Sequence, residues 1–186
     1  MKISMIRLPI ESSVLESLSA GEKVLFTGKI YTARDKAHRL IVDLLNENEG
    51  KDFHTTEAKL PFPLKNSIIY YSGPVLDKKT GQFTSAGPTT SSRMDSLTPQ
   101  LLAAGVKGFI GKGPRSGEIR KLLAFHRAVY FSTVGGAGVL LAQRIKEAKV
   151  VAFSELLAEA VYELQVEEFP CYVAIDSRGK SMFTAR

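Results

Sequence analysis

From Ser67 onward the chain alternates short runs of consecutive apolar residues with stretches that carry helical signals. Apolar runs at 67–75, 106–111, 128–133, 149–153 and 171–176 are strand candidates, several of them apolar on both faces. Strands of that kind need cover on both sides, which a largely parallel sheet flanked by helices provides. Between the runs, Thr98 is expected to cap a helix with Pro99 in its first turn and Gly105 just past its end. Ser116 is expected to cap a second, with Ile119, Leu122 and Leu123 as its apolar stripe. Two more helices are expected at 136–147 and 154–166, each covering a sheet face.

The first third has a different rhythm. Residues 2–10 read as extended, and 23–32 carries Val24, Phe26, Gly28 and Ile30 on one alternating face, with Gly21 between the two. Ala37, Leu40, Ile41, Leu44 and Leu45 then fall at helical spacing, and 46–50 ends that helix. Residues 51–66, with Pro61 and Pro63, read as a loop. The expected fold class is α/β with a β-rich N-terminal part. In the absence of a linker, repeat or low-complexity tract, one domain over 1–186 is expected.

Composition narrows the function. The 186 residues are 44% hydrophobic and 24% charged, enough for a packed core. No run of about 18 apolar residues suggests a membrane span, and the N-terminus lacks a signal-peptide segment, so a cytoplasmic location without membrane contact is expected. The +6 net charge, from 25 Lys and Arg against 19 Asp and Glu, is compatible with an anionic substrate, an acidic partner or nucleic acid. The basic residues are scattered, and without Trp or an aromatic-basic motif no nucleic-acid partner is expected. The one cysteine, Cys171, excludes an internal disulfide and any cluster held by several of this chain's thiolates.

Three loops stand where anions gather in such folds, at strand ends and helix starts. In 32–39, Arg34 can hold a carboxylate through two parallel N–H bonds, with Asp35 at the helix start and His38 one turn on. An exposed helix start with a capping Asp explains the same residues. In 85–95, Gly87-Pro88 sets a turn, and Thr89, Thr90, Ser91 and Ser92 followed by Arg93 put hydroxyls and a guanidinium around one point. A Ser/Thr-rich turn capping a helix is the structural alternative. In 108–113, Lys112 is flanked by Gly111 and Gly113, but Walker spacing is missing and a nucleoside triphosphate site is excluded. Gly135-Gly136-Ala137-Gly138 is a weaker candidate of the same kind. His54 reads as an exposed loop residue, His126 as a structural histidine closing a helix, and Cys171 as a small buried thiol in a strand.

Taken together, Arg34-Asp35-Lys36-Ala37-His38, Tyr70-Tyr71-Ser72-Gly73-Pro74, the stretch from Gly87 to Asp95 and Gly111-Lys112-Gly113 resemble the β subunit, or C-terminal domain, of class I fumarases and L-tartrate dehydratases. The likeness runs from Gly21 to Arg178 and includes Val134-Gly135-Gly136-Ala137 and Glu168-Phe169-Pro170. It implies a three-layer swivelling β/β/α domain that docks on an α subunit, with α2β2 as the usual assembly. That α subunit carries a 4Fe-4S cluster, so this chain is expected to hold no metal. By the same resemblance, Arg34, Arg93 and Lys112 bind the carboxylates of a small dicarboxylate, Thr89 and Thr90 contact it, and Thr89 is a candidate for proton transfer. Arg93 and Lys112 are expected to act with Thr89 in catalysis, and Asp35 and His38 to support. Ser72 stands where the family often has cysteine, and the basic residues after His38 are reduced to Arg39. Fumarate hydration to L-malate is the expected reaction, with tartrate dehydration to oxaloacetate as the family alternative. A noncatalytic anion-binding module is the alternative of another class.

Overall fold

The structure is a computed structural model that describes residues 3–47, 62–77 and 83–183. Seven strands make one mixed sheet: β1 (Ile3–Arg7), β2 (Lys23–Thr32), β3 (Ile68–Tyr70), β6 (Gly108–Gly111), β7 (Val129–Ser132), β8 (Ile145–Ala152) and β9 (Val161–Ile175). Their order is β1-β2-β3-β6-β7-β9-β8. A further pairing of β2 with β9, from Lys23 opposite Tyr172 to Tyr31 opposite Glu163, bends the sheet round on itself into a barrel-like closure. The steps from β1 through β7 are parallel, while β9 runs antiparallel to β2, β7 and β8. Strands β4 (Val75–Leu76) and β5 (Phe83–Ser85) pair separately.

Alternation along each strand sorts the core into two clusters, because successive side chains point to opposite faces of a sheet. Val24, Phe26, Ile30, Tyr70, Ile110, Phe131, Leu164 and Val173 belong to the first, capped by Leu15 of α1 (Ser12–Ser17) and Leu141 of α5 (Gly138–Ala142). Phe26 and Phe131 meet there edge to face at 4.9 Å. Ile69, Phe109, Tyr130 and Ala174 turn the other way, beneath α2 (Asp35–Glu47), α3 (Thr98–Ala103) and α4 (Gly117–Phe125). The face of β2 read from the sequence is thus a buried face. Ser116 caps α4 as expected, its hydroxyl accepting the Ile119 N–H at 3.2 Å. Among the described residues no helix is long and apolar enough to cross a membrane.

The structure corrects four local expectations. The helix expected at 136–147 stops at Ala142, and β8 begins at Ile145. Its Lys146, Glu147 and Lys149 look helical in composition, but they lie exposed on a strand at the sheet's outer edge, where charges blunt edge-to-edge pairing. The helix expected at 154–166 is a 3₁₀ turn, Ser154–Glu159, followed by the fifteen residues of β9, in which Tyr162, Leu164 and Val166 alternate inward. Thr98 opens α3 rather than capping it. Leu97 is the cap residue, and the Thr98 hydroxyl donates back to the Met94 carbonyl at 2.8 Å. On α2 the buried residues are Ala37, His38, Ile41 and Val42, with Leu44 and Leu45 half-buried, so the stripe is rotated from the one read in the sequence. Most of the 51–66 loop, His54 included, lies outside the described residues.

Candidate functional site

Each of the three loops leaves the end of a strand or opens a helix, so the parallel order of β2, β3 and β6 delivers them to one rim. Arg34 and Asp35 follow β2 and open α2. Tyr71 to Pro74 follow β3, and Lys112 follows β6. The hydroxyl-rich stretch threads between the last two. Thr89 donates its N–H to the Tyr71 carbonyl at 2.6 Å, Lys112 donates to the Thr89 carbonyl at 3.2 Å, and Ser91 donates to the Lys112 carbonyl at 3.0 Å. Thr90 and Lys112 form an isolated parallel bridge, and Ser72 pairs with Pro88. A 3₁₀ turn at Ser91–Met94 then presents Arg93.

Two glycines allow this crowding. A Cβ on Gly111 would run into the Ser91 hydroxyl, so only glycine lets that turn lie against the end of β6. A Cβ on Gly73 would come within 2.7 Å of Arg34 Nη1 and 2.9 Å of the Ala158 carbonyl oxygen. Its absence leaves the Arg34 guanidinium room to lie across the loop.

The Arg93 guanidinium grips Asp35 through two bonds, Nε to Oδ1 at 3.1 Å and Nη2 to Oδ2 at 2.8 Å, with the Arg93 side chain 52% exposed. Two loops distant in sequence are thereby joined by the fork-to-carboxylate geometry that a carboxylate ligand also fits. Arg34 is half-buried, and its Nε is a buried donor with no hydrogen-bond partner among the described residues. Lys112 is half-buried, and a Cβ placed on Gly135 would lie 3.5 Å from its Cδ, so the second glycine loop flanks the lysine. Among the described residues neither Arg34 nor Lys112 forms an ion pair. Thr89 is half-buried beside them and Thr90 is exposed.

His38 is enclosed. Its Nδ1 lies 3.0 Å from the Arg34 carbonyl oxygen, which assigns the proton to Nδ1, and Nε2 has no partner among the described residues. Burial pulls its pKa down to about 4, the Arg34 carbonyl opposing that and the Arg115 charge adding to it. The ring is neutral at ordinary pH, packs edge-on to Tyr71 at 5.2 Å, and steadies the helix start from behind.

Sequence reasoning missed the polar cluster under these loops. Arg115, with its side chain 0% exposed, donates from Nε to Asp95 at 2.5 Å, from Nη1 to the Tyr71 hydroxyl at 3.1 Å and from Nη2 to the Thr98 hydroxyl at 2.6 Å. Burial alone would lower the Arg115 pKa, but Tyr71 and Asp95 outweigh it and the net shift is upward. Tyr130 adds a second fastening, its hydroxyl 2.9 Å from that of Ser91 and donating to the Gly113 carbonyl at 2.7 Å. Desolvation raises that phenol to about 12, so it stays a donor. A buried arginine has no local signature, though the Pro114-Arg115-Ser116 run just before a cap and Asp95 two residues past Arg93 were visible.

Cys171 lies fully buried within β9, and burial raises its thiol pKa well above the usual value. Among the described residues no group of three or more His, Cys, Asp or Glu is placed to hold a metal. A cavity of about 660 Å³ is lined by residues such as Leu76, Phe83, Ile145, Lys146 and Tyr162, and none of the motif residues line it. Of the motif residues, Arg34, Asp35, Thr89 and Lys112 are half-buried, and Thr90 and Arg93 are exposed.

A sequence profile of the family described as Fumarase C-terminus matches residues 1–186. The chain is similar to a Methanocaldococcus jannaschii protein provisionally named L(+)-tartrate dehydratase subunit beta, 38% identical over 91% of this chain and 85% of that one. It is also similar to fumarate hydratase 2 of Leishmania major, 33% identical over 91% of this chain, and to the aerobic class I fumarate hydratase of Escherichia coli K12, 32% identical over 91%. It spans only 29% and 30% of those two proteins.

Proposed function

The chain belongs to the Fumarase C-terminus family, and from that premise we propose that it is the β subunit of a two-subunit iron-sulfur hydro-lyase that interconverts fumarate and L-malate. The observation that carries the reading is that the loops bearing Arg34, Arg93 and Lys112 are bonded to their neighbours at one end of the sheet, Arg93 to Asp35 beside Arg34 and Lys112 to the Thr89 carbonyl. A dicarboxylate needs cationic anchors for both of its ends, and these loops supply them.

The residues of this chain do not fit a 4Fe-4S cluster, because one buried cysteine cannot provide three thiolates. We assign the cluster to an α subunit, in an α2β2 assembly, that closes over the rim. The relatives in which this chain corresponds to under a third of the length support a larger catalytic whole. The three-layer swivelling β/β/α description, a single domain over 1–186 and a cytoplasmic location belong to the same proposal. The family match along the full chain and the two-sided core support the first two.

In malate dehydration the proton leaves the carbon next to one carboxylate, and that carboxylate becomes a doubly charged aci-carboxylate. Hydroxide then leaves the neighbouring carbon, and the double bond forms. Arg93 and Lys112 would stabilise the developing charge, the largest demand of such a reaction, while Arg34 holds the other carboxylate. Thr89 Oγ1 would carry the proton. An unassisted threonine hydroxyl is a weak base, so this role requires a neighbouring charge or a partner carboxylate. Asp35 orients the Arg93 fork, and His38 fixes the backbone that bears Arg34.

Tartrate dehydration to oxaloacetate is the second reading, favoured by the 38% identity to the separate M. jannaschii β chain. Anaerobic co-purification from native cell extract with this chain as bait, followed by iron and sulfide analysis and assays on fumarate, mesaconate and tartrate, separates the two. A co-eluting cluster protein with dominant fumarate turnover is expected. Dominant tartrate turnover selects the second reading, and tight dicarboxylate binding without turnover returns the chain to a noncatalytic anion-binding module.

A further inference from the structure

Arg115 lies three residues past Lys112, and its fork points away from the rim into the protein. Each arm reaches a different piece of the site's support. Nε takes Asp95, two residues beyond Arg93, and Nη2 takes Thr98, whose hydroxyl is itself bound to the Met94 carbonyl. Nη1 takes the hydroxyl of Tyr71, the residue whose carbonyl receives the Thr89 N–H. The other Asp95 oxygen accepts the Ser116 N–H at 3.0 Å, which fastens the Arg93 turn to the start of α4. The guanidinium carbon lies 5.5 Å from the Tyr71 ring centre and 5.4 Å from that of Tyr130, so aromatic faces enclose the cation.

On the functional reading above, we infer that Arg115 is a positioning residue that holds the Arg93 turn, the Lys112 loop and the Tyr71 loop in fixed mutual register without touching substrate. A planar fork with several donors in set directions can join three loops at once, whereas a lysine offers a point charge to one or two. Groups that orient metal ligands from behind typically change affinity or activity about 10- to 100-fold when removed, and an effect of that order is expected here.

The test pairs Arg115→Met with Arg115→Lys in the full chain and in the natively assembled complex. Amide hydrogen exchange at Ser91 and Lys112, the two N–H groups that lace the loops together, should quicken about tenfold or more in Arg115→Met, while Val24 and Phe26 in β2 keep their protection. In the complex, kcat should fall about 10- to 100-fold at a temperature well below the thermal midpoint, with Arg115→Lys in between. If Arg115→Met does not fold, Asp95→Asn leaves one acceptor oxygen for both Arg115 Nε and the Ser116 N–H, which loosens the Arg93 turn and should quicken Ser91 exchange. Unchanged exchange at both amides overturns the inference. So does quickened exchange with wild-type kcat and KM, which would make the residue structural only. Should the wild-type complex turn over no dicarboxylate, the functional reading fails, and the exchange rates still decide whether Arg115 holds the loops.

Discussion

Two arginine-aspartate pairs lie on either side of the same short turn, and they are built for opposite purposes. Arg115–Asp95 sits behind the loops with side-chain exposures of 0% and 18%, and each nitrogen of the guanidinium donates a hydrogen bond. Arg93–Asp35 sits in front with exposures of 52% and 21%, and Asp35 is the one carboxylate paired with Arg93 among the described residues. The same two residue types form a fixed joint where water is excluded and an exposed, oriented fork where it is not. A buried cation without its partner is costly, whereas an exposed one is merely rehydrated. The rear pair is therefore suited to holding shape, and the front pair to presenting a guanidinium that Asp35 orients.

The difference can be broken most sharply at Asp95. Asp95→Ala strands a buried guanidinium and should lower unfolding stability by about 3–5 kcal/mol, read as a fall in the urea midpoint. A loss below about 1 kcal/mol would put the rear pair in the same class as the front one. The opposite signature belongs to Arg93→Ala. Turnover in the assembled complex should fall about 10²–10³-fold or more with the urea midpoint nearly unchanged, and a variant with near-normal turnover would remove Arg93 from the reaction.

His38 extends the comparison to pH. Its folded-state pKa of about 4 lies below the ordinary 6.5, so the neutral ring favours folding fully above pH 6.5. As pH falls from there toward 4, the unfolded chain takes up the proton first, and stability drops. The thermal midpoint of the wild type should fall across that window more steeply than that of His38→Gln. Parallel curves would mean that the ring is solvated. The smallest effect is expected at Asp35, where Asp35→Asn should cost less than about 1 kcal/mol of stability. It should still raise KM by loosening the Arg93 fork, and an unchanged KM would show that the fork needs no orientation.

The front of the site was far more legible in the sequence than the rear. Arg34, Thr89, Arg93 and Lys112 stand at loop positions marked by Gly, Pro and hydroxyl residues, and such local chemistry can be read without knowing the fold. Arg115 looks ordinary in the chain, and Tyr71 and Thr98 were read only as a motif residue and a helix cap, because their joint role exists only once three distant loops meet. The fold divides in the same way. Ser116 and the face of β2 carry local signals, and both were read correctly. The ends of β8 and β9 were read as strands at 149–153 and 171–176, but their first halves were hidden because the identity of those residues comes from pairing. The Lys, Glu and Ala of β8 favour a helix in isolation, and the pairing with β9, from Ile145 opposite Val166 to Ala152 opposite Val161, overrides that preference.

The seam that joins β2 to β9 also dictates an order of events during synthesis. Tyr31 bonds to Glu163 across 132 residues, so the second strand leaves the ribosome long before the strand that flanks it exists. At about 5–20 residues per second that interval is on the order of ten seconds. Through it, the edge of β2 from Lys23 to Tyr31 awaits its partner. Until β9 arrives, that edge of β2 is an unpaired strand edge of the kind that templates association with other chains.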